Sequence, residues 1–302
     1  MSELSPVLKR LMRKTQEQTQ MSKLARPLPE LRARIKDAPR LISFADAISG
    51  GLCLIGEIKQ ASPSMGRMKQ ENVERAAEVY KTSHSVKAIS VLTHPEFGSE
   101  MNLERLQRVK IEANKPVLRK DFITDEYEVY EARAFGADAI LLMANLLGKK
   151  QLARLYEVAC ELKMDVLFET HTPDEIAKAP EGTRIYGINC RSFESKGKTF
   201  ALSRLLGRWF GSRKDLTIDY SKFDYVRKLP GRALKVAESG ISPDRVAEVR
   251  QAGFNAILVG TSLLIGPAPI DEVLGHFERA IIEAGNAKQS ASGQAAQMTP
   301  AS

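Results

Sequence analysis

From residue 52 onward, short apolar runs alternate with longer stretches whose apolar residues recur every three or four positions. The runs are LCLIGEI (52–58), AISVL (88–92), PVLR (116–119), AILLM (139–143), DVLFE (165–169), RIYGIN (184–189), LKVAES (234–239) and AILVG (256–260). Each is brief, rich in Val, Ile and Leu, and without strict apolar–polar alternation, which is the pattern of a strand buried on both faces. The intervening VERAAEVYKTS, EYEVYEARAFG, KKQLARLYEVACEL and SPDRVAEVRQAG carry the helical period. In the last of these, Ser242 is a candidate N-cap, Pro243 suits the first helical position, and Gly253 suits the left-handed residue that ends a helix. AFGADAILL and QAGFNAILV repeat one device: helix end, glycine, buried strand.

Strands interleaved with helices predict an α/β fold. Periodicity alone allows a closed (β/α)8 TIM barrel or an open doubly wound sheet, but the ends of the runs separate the two. Glu57 and Lys59, Thr93, Lys120, Asn145, Glu169, Asn189, Glu238 with Ser239, and Thr261 all sit where a run ends. In a barrel these ends meet on one rim, where active sites of this architecture are built; in an open sheet they would be strung along an edge. A TIM barrel over residues 51–284 is therefore the predicted fold. Residues 1–50, with a helix start in PLPELRARI, predict an N-terminal helical extension that covers the barrel's bottom or flanks its mouth. Residues 285–302 are small and polar with no apolar period, and predict a disordered tail.

Composition narrows the class. At 43% hydrophobic and 27% charged residues the chain is neither wholly disordered nor collagen-like. No apolar run approaches the roughly 20 residues of a membrane-spanning helix, and the N-terminus lacks the apolar core of a secretory signal. Cys53, Cys160 and Cys190 form no CxxC pair, which excludes a disulfide framework and points to a reducing cytoplasm. Cys53 and Cys160 read as core residues; Cys190 lies near the rim with no evident activating base. His84, His94, His171 and His276 have no metal-ligand spacing and read as structural or surface residues, so no metal site is expected.

The candidate chemistry gathers at the run ends. Glu57 and Lys59 are two residues apart on a strand, so both point the same way and would enter the barrel together. Alone they suit a structural ion pair as well as an acid–base pair. The hydroxyl-rich SPSMG that follows suits a substrate phosphate. Lys120 stands at the exit of the third run, followed by Asp121 and Phe122. A lysine there can act as an acid, with Lys59 and partial burial lowering its pKa, or can be a plain loop lysine. Glu169 follows three apolar residues and needs a partner, which Lys59 or Lys120 would supply. Asn189 in GINCR is a neutral hydrogen-bonding group. Gly240 and Gly260, after the last two strands, let backbone amides approach phosphate oxygens, and Ser239 and Thr261 add hydroxyls.

EIKQASPSMG, PVLRKDFITDEYEVYEARAFGADAILL, GINCR, VAESGIS and AILVGTSLL together resemble the indole-3-glycerol-phosphate synthase family, TIM-barrel enzymes of tryptophan biosynthesis. The resemblance covers residues 50–275, and the helical extension also fits that family. It implies ring closure, decarboxylation and dehydration of 1-(2-carboxyphenylamino)-1-deoxyribulose 5-phosphate, with no cofactor. By matching position, Lys120 resembles the general acid of ring closure, Lys59 and Glu169 its acid–base partners, and Glu57 and Asn189 supporting groups. Ser62, Phe122, Arg191, Ser239, Gly240, Gly260 and Thr261 look like substrate and phosphate contacts. The implied partner is a phosphorylated small molecule rather than a membrane or nucleic acid. The chain is expected in the cytoplasm as a monomer or homodimer, possibly associated with other tryptophan-pathway enzymes. Two stretches depart from the family: Ser192-Phe193 replaces Asp-Leu after Asn-x-Arg, and the loop LTHPEFGSEMN is shorter and differently spaced. A diverged paralogue remains the alternative, either a phosphosugar-binding barrel of altered substrate or a catalytically silent binding module.

The net charge of +8 is local in origin. Residues 1–50 hold ten Lys/Arg against five Asp/Glu, and residues 195–214 hold six Lys/Arg and no acid, leaving the rest mildly acidic. Segment 195–214, with Trp209, reads as an insertion after the sixth strand and would be the contact surface of a silent module. For an enzyme, its charges can steer a doubly anionic substrate to the rim. Exposed charges are screened over about 8–10 Å at physiological salt. Replacing Lys196, Lys198, Arg204 and Arg208 by Gln is therefore expected to lower kcat/KM at low ionic strength and to leave it nearly unchanged at high salt, as steady-state kinetics across a salt series will measure.

Overall fold

A computed structural model describes residues 6–62, 65–191 and 218–297. The eight apolar runs are eight strands: β1 (Cys53–Ile58), β2 (Val86–Leu92), β3 (Val117–Lys120), β4 (Ala139–Met143), β5 (Asp165–Thr170), β6 (Ile185–Asn189), β7 (Leu234–Glu238) and β8 (Ala256–Val259). All pair in parallel with their sequence neighbours, and β1 also pairs with β8, so the sheet closes into a (β/α)8 barrel. The open sheet is excluded.

Strand alternation divides the strand residues between two apolar clusters. Ile55, Ala88, Leu118, Leu141, Leu167, Val236 and Leu258 belong to the cluster that fills the barrel. Leu54, Ile89, Ile140, Val166, Ile188 and Ile257 pack the strands against the surrounding helices. Those helices include α4 (Gln70–Thr82), α5 (Leu103–Ala113), α6 (Glu126–Ala134), α7 (Lys149–Glu161), the single turn α8 (Pro173–Ile176) and α9 (Val246–Ala252). The helix–glycine–strand device recurs as the sequence predicts: Gly136 and Gly253 have φ of 92° and 95°, a region that favours glycine. The Ser242 hydroxyl makes no helix-capping bond to a backbone N–H; a short 3-10 turn, Pro243–Arg245, precedes α9 instead.

The N-terminal extension reaches both ends of the barrel, where the sequence offers the bottom or the mouth. Its helices are α1 (Pro6–Ala25), α2 (Leu28–Ile35) and α3 (Phe44–Ala47). Leu8 and Leu11 of α1 join Phe97 and Phe122 at the mouth, and Arg10 and Lys14 pair with Glu96 in the loop after β2. At the opposite end, Phe44, Ala45 and Ile48 pack under the barrel interior. Two carboxylates near strand starts hold this plug: Asp165 accepts from the Ala45 N–H at 2.9 Å and Asp138 from the Ile42 N–H at 2.7 Å. Asp138 also takes the buried Lys110 ammonium and the Val117 N–H.

Two expectations change. Residues 285–297, read above as disordered, continue the last helix, α11 (Ile270–Gln297). Ala, Gln and Lys favour the helix, no proline interrupts it before Pro300, and its first turns are anchored by buried Ile270, Leu274 and Phe277. Cys160 is exposed rather than core. The buried stripe of α7 runs through Leu152, Leu155, Val158 and Ala159, and Cys160 falls just off it. The basic segment 195–214 and Pro63–Ser64 lie outside the described residues. Among the described residues no helix is long and apolar enough to cross a membrane.

Phe44 is wholly buried beneath the barrel, at the end opposite the rim. Phe44→Ala should cost about 3–5 kcal/mol in urea unfolding while leaving substrate turnover of the folded fraction close to normal.

Candidate active site

Side chains at i and i+2 on a strand share a face. Two residues beyond the inward Ile55, Leu118, Leu167 and Val236 therefore lie Glu57, Lys120, Glu169 and Glu238, all turned into the barrel mouth. These four come from β1, β3, β5 and β7, and alternate strands are what build one interior layer of this architecture. Lys59 rises just past β1 and donates to Glu57. The Lys120 Nζ donates to Glu169 Oε2 at 3.0 Å and to Glu238 Oε2 at 3.3 Å. The Asn189 side-chain amide donates to Glu169 Oε1 at 3.0 Å. Its own oxygen accepts the Arg191 N–H at 2.9 Å, and the buried Lys222 ammonium holds the Asn189 carbonyl at 3.2 Å.

Neighbouring strands make room for this layer with glycine. A β-carbon on Gly187 would collide with the Glu238 carboxylate, and one on Gly260 with Glu57. Around the layer, Ser62, Arg191, Ser239, Gly240, Gly260 and Thr261 border one side of the cavity, while Leu11, Leu92, Phe97, Phe122, Leu141 and Met143 form an apolar wall. Phe97 and Phe122 stack at 6.3 Å between ring centres, with His94 edge-on to both. Ser239 and Gly240 have φ of 71° and 74°, so the loop after β7 turns sharply there. The Ser262 hydroxyl ties that loop to the one after β8 by donating to the Ile241 carbonyl at 2.9 Å. Gly260 precedes the one-turn helix α10 (Thr261–Leu264).

The electrostatics correct one expectation. Burial alone would lower Lys120, but the carboxylates of Glu169, Glu238 and Glu57 outweigh it and hold the ammonium above its ordinary range. Lys120 is thus held firmly charged, not lowered as the sequence suggested, and Lys59 is occupied with Glu57 rather than pressing on it. Burial pushes the carboxylates up, yet Glu169 is brought down to about 2 by Lys120, His171 and its hydrogen bonds. Glu238 is left with the opposite balance: burial and the neighbouring Glu169 charge raise it to about 8 despite Lys120. Two carboxylates sharing one ammonium are split into a base and an acid, the arrangement that acid–base chemistry at neutral pH uses. Burial raises the Cys190 thiol to about 12, which fits an inert residue.

Every proposed site residue lines this one cavity. Sequence reasoning missed Glu238 as a site residue, although its register relative to Val236 repeats that of Glu169 relative to Leu167 and could have found it. It also missed Phe97 and Leu11, which reach the wall from a loop and from the extension; nothing in local periodicity signals either. The loop after β2 delivers this ring through its 3-10 turn Pro95–Phe97.

A family profile described as indole-3-glycerol phosphate synthase matches residues 8–202. The chain is similar to the indole-3-glycerol phosphate synthase of Kineococcus radiotolerans, with 36% identity over 239 residues, 78% of this chain and 79% of the relative. It is likewise similar to those of Roseiflexus castenholzii, at 32% over 87% of this chain and 95% of the relative, and of a Thermoanaerobacter species, at 34% over 91% and 98%. Among solved structures, 3-hexulose-6-phosphate synthase from Salmonella typhimurium superposes with a TM-score of 0.53 at 15% identity, over 76% of this chain and all of that one. That likeness concerns the fold alone.

Glu238 makes stability depend on pH in a direction opposite to most carboxylates. Its folded pKa, about 8, exceeds the ordinary 4.5, so the folded state holds the extra proton and stability falls as pH rises between these values. Glu238→Gln should remove that fall, seen as a Tm difference between variant and parent that grows in the variant's favour from pH 5 to pH 8.5.

Proposed function

The chain belongs to the indole-3-glycerol phosphate synthase family of tryptophan biosynthesis, and we propose that Lys120, Glu169, Lys59, Glu57 and Asn189 carry its reaction. The enzyme is a carboxy-lyase whose substrate class is a phosphorylated small molecule. The substrate of this reading is 1-(2-carboxyphenylamino)-1-deoxyribulose 5-phosphate. Its three parts find three surfaces. The aryl ring suits the apolar wall of Phe97, Phe122, Leu141 and Leu11. The phosphate suits the loops after β7 and β8, where Ser239, Gly240, Gly260 and Thr261 offer amides and hydroxyls, with Ser62 and Arg191 beside them. The ribulose chain then crosses the charged layer between.

The observation that carries the reading is Lys120, whose ammonium sits between Glu169 and Glu238 at the floor of this cavity. As the ring carbon bearing the carboxylate attacks the ribulose carbonyl, Lys120 gives that carbonyl oxygen a proton and a hydroxyl results. Loss of CO₂ returns electrons to the ring. Removing water to form the indole needs a base for the C–H proton and an acid for the departing hydroxyl. In this reading Glu169, kept ionised, takes the C–H proton, and the Lys59 ammonium, paired with Glu57, gives a proton to the departing hydroxyl, which leaves as water. A cytoplasmic location, and a monomer or homodimer working beside other enzymes of the pathway, belong to the same reading.

Indole-forming turnover followed by fluorescence tests it. Lys120→Met should lower kcat by on the order of 10² to 10⁴ with phosphate affinity nearly kept, because the stem remains and only the acid is lost. Glu169→Gln should likewise lower kcat with little change in KM, the pattern of a group needed mainly in the transition state. More than about a third of wild-type kcat in Lys120→Met would remove Lys120 from the mechanism, and no turnover by the wild type would return the silent-module alternative.

A further inference from the structure

His171 follows Glu169 by two residues, just past the end of β5, and is 6% exposed. Its Nε2 stands 3.5 Å from Glu169 Oε1, and its Nδ1 stands 3.6 Å from Glu175 Oε2. Glu175, on α8, is itself fixed, because Oε2 accepts the His171 backbone N–H at 2.6 Å. Beyond this pair, Lys120 faces Glu169 from β3, Glu238 faces it from β7, and Lys178 lies near Glu175. The ring is thus enclosed by two carboxylates, one at each nitrogen.

A neutral imidazole has one N–H and one lone pair, so between two ionised carboxylates it would set the lone pair against one of them. The imidazolium presents N–H to both. Glu169 and Glu175 are each held below the ordinary carboxylate range against their burial, with His171 among the causes. We propose that His171 is a positioning residue: set against Glu175, its ring faces the same Glu169 oxygen that Asn189 holds and keeps that carboxylate oriented and in its basic form. The inference rests on the reading of Glu169 as the base of the reaction. It separates His171 from a merely structural histidine, and Glu175 from a residue that only closes the first turn of α8.

The acid limb of kcat/KM against pH reports the ionisation of the base in the free enzyme. In His171→Gln that limb should move to higher pH by about one unit, the low end of what loss of one neighbouring opposite charge produces, and kcat above the limb should fall only a few-fold. Glu175→Gln keeps an acceptor for the backbone N–H but releases the ring. Acting through His171, it should move the limb the same way by less. Acting directly, as loss of a negative charge near Glu169, it would move the limb to lower pH. The double variant should coincide with His171→Gln, since the two act as one unit. His171→Asn is the second variant should Gln disturb packing, and thermal melts establish that each protein is folded. An unmoved limb in a folded His171 variant, a shift to lower pH in Glu175→Gln, or additive effects in the double variant would overturn the proposal. Glu169→Gln run in parallel distinguishes the levels: if it keeps its kcat the reading of the base fails too, and if it is inactive while the limb stays put, only the role of His171 fails.

Discussion

Putting ionised groups inside a barrel is tolerable only when their charges cancel and their polar atoms are matched. Here three carboxylates and two ammoniums share one layer at the mouth, and the layer reaches balance because Glu238 keeps its proton near neutral pH. The rest of the architecture serves this arrangement. Odd-numbered strands supply the charged side chains, and the even-numbered β6 and the residue after β8 supply glycines whose missing β-carbons leave space for Glu238 and Glu57. Beneath lies an apolar filling, and Phe44, Ala45 and Ile48 pack under it at the other end. Charge and hydrophobicity are thus stacked along the barrel axis instead of being mixed.

The same stacking explains why two neighbouring carboxylates differ. Glu169 meets an ammonium, an amide donor and an imidazole; Glu238 meets the ammonium at longer range and the Glu169 charge. Nothing in the chemistry of glutamate separates them. Their neighbours do, and those neighbours come from β3, β6 and the turn after β5, so the division of labour is a property of closure.

Much of this was legible in the chain. Strand positions, the rim and the convergence of Lys120, Glu169, Glu57 and Asn189 follow from where each apolar run ends, because in a closed parallel barrel end-of-strand means rim. The direction of the Lys120 shift was not legible. It depends on Glu169 and Glu238 together, carboxylates 49 and 118 residues away in sequence, whereas the sequence reading takes Lys59 as the charge that sets it. The apolar wall was half legible: Phe122 adjoins Lys120, whereas Leu11 and Phe97 arrive through tertiary packing. The tail failed for the reverse reason. Small polar residues lack an apolar stripe, yet the helix anchored by Ile270, Leu274 and Phe277 continues through them to Gln297.

The β1–β8 pairing is the seam of the barrel, where the last strand docks on the first. Glu57 and Lys59 stand on one lip of that seam, and Gly260 and Thr261 on the other. A ligand gripped by both lips acts as a clasp on the ring. Since it can grip only the closed ring, its binding free energy adds to the stability of the folded barrel.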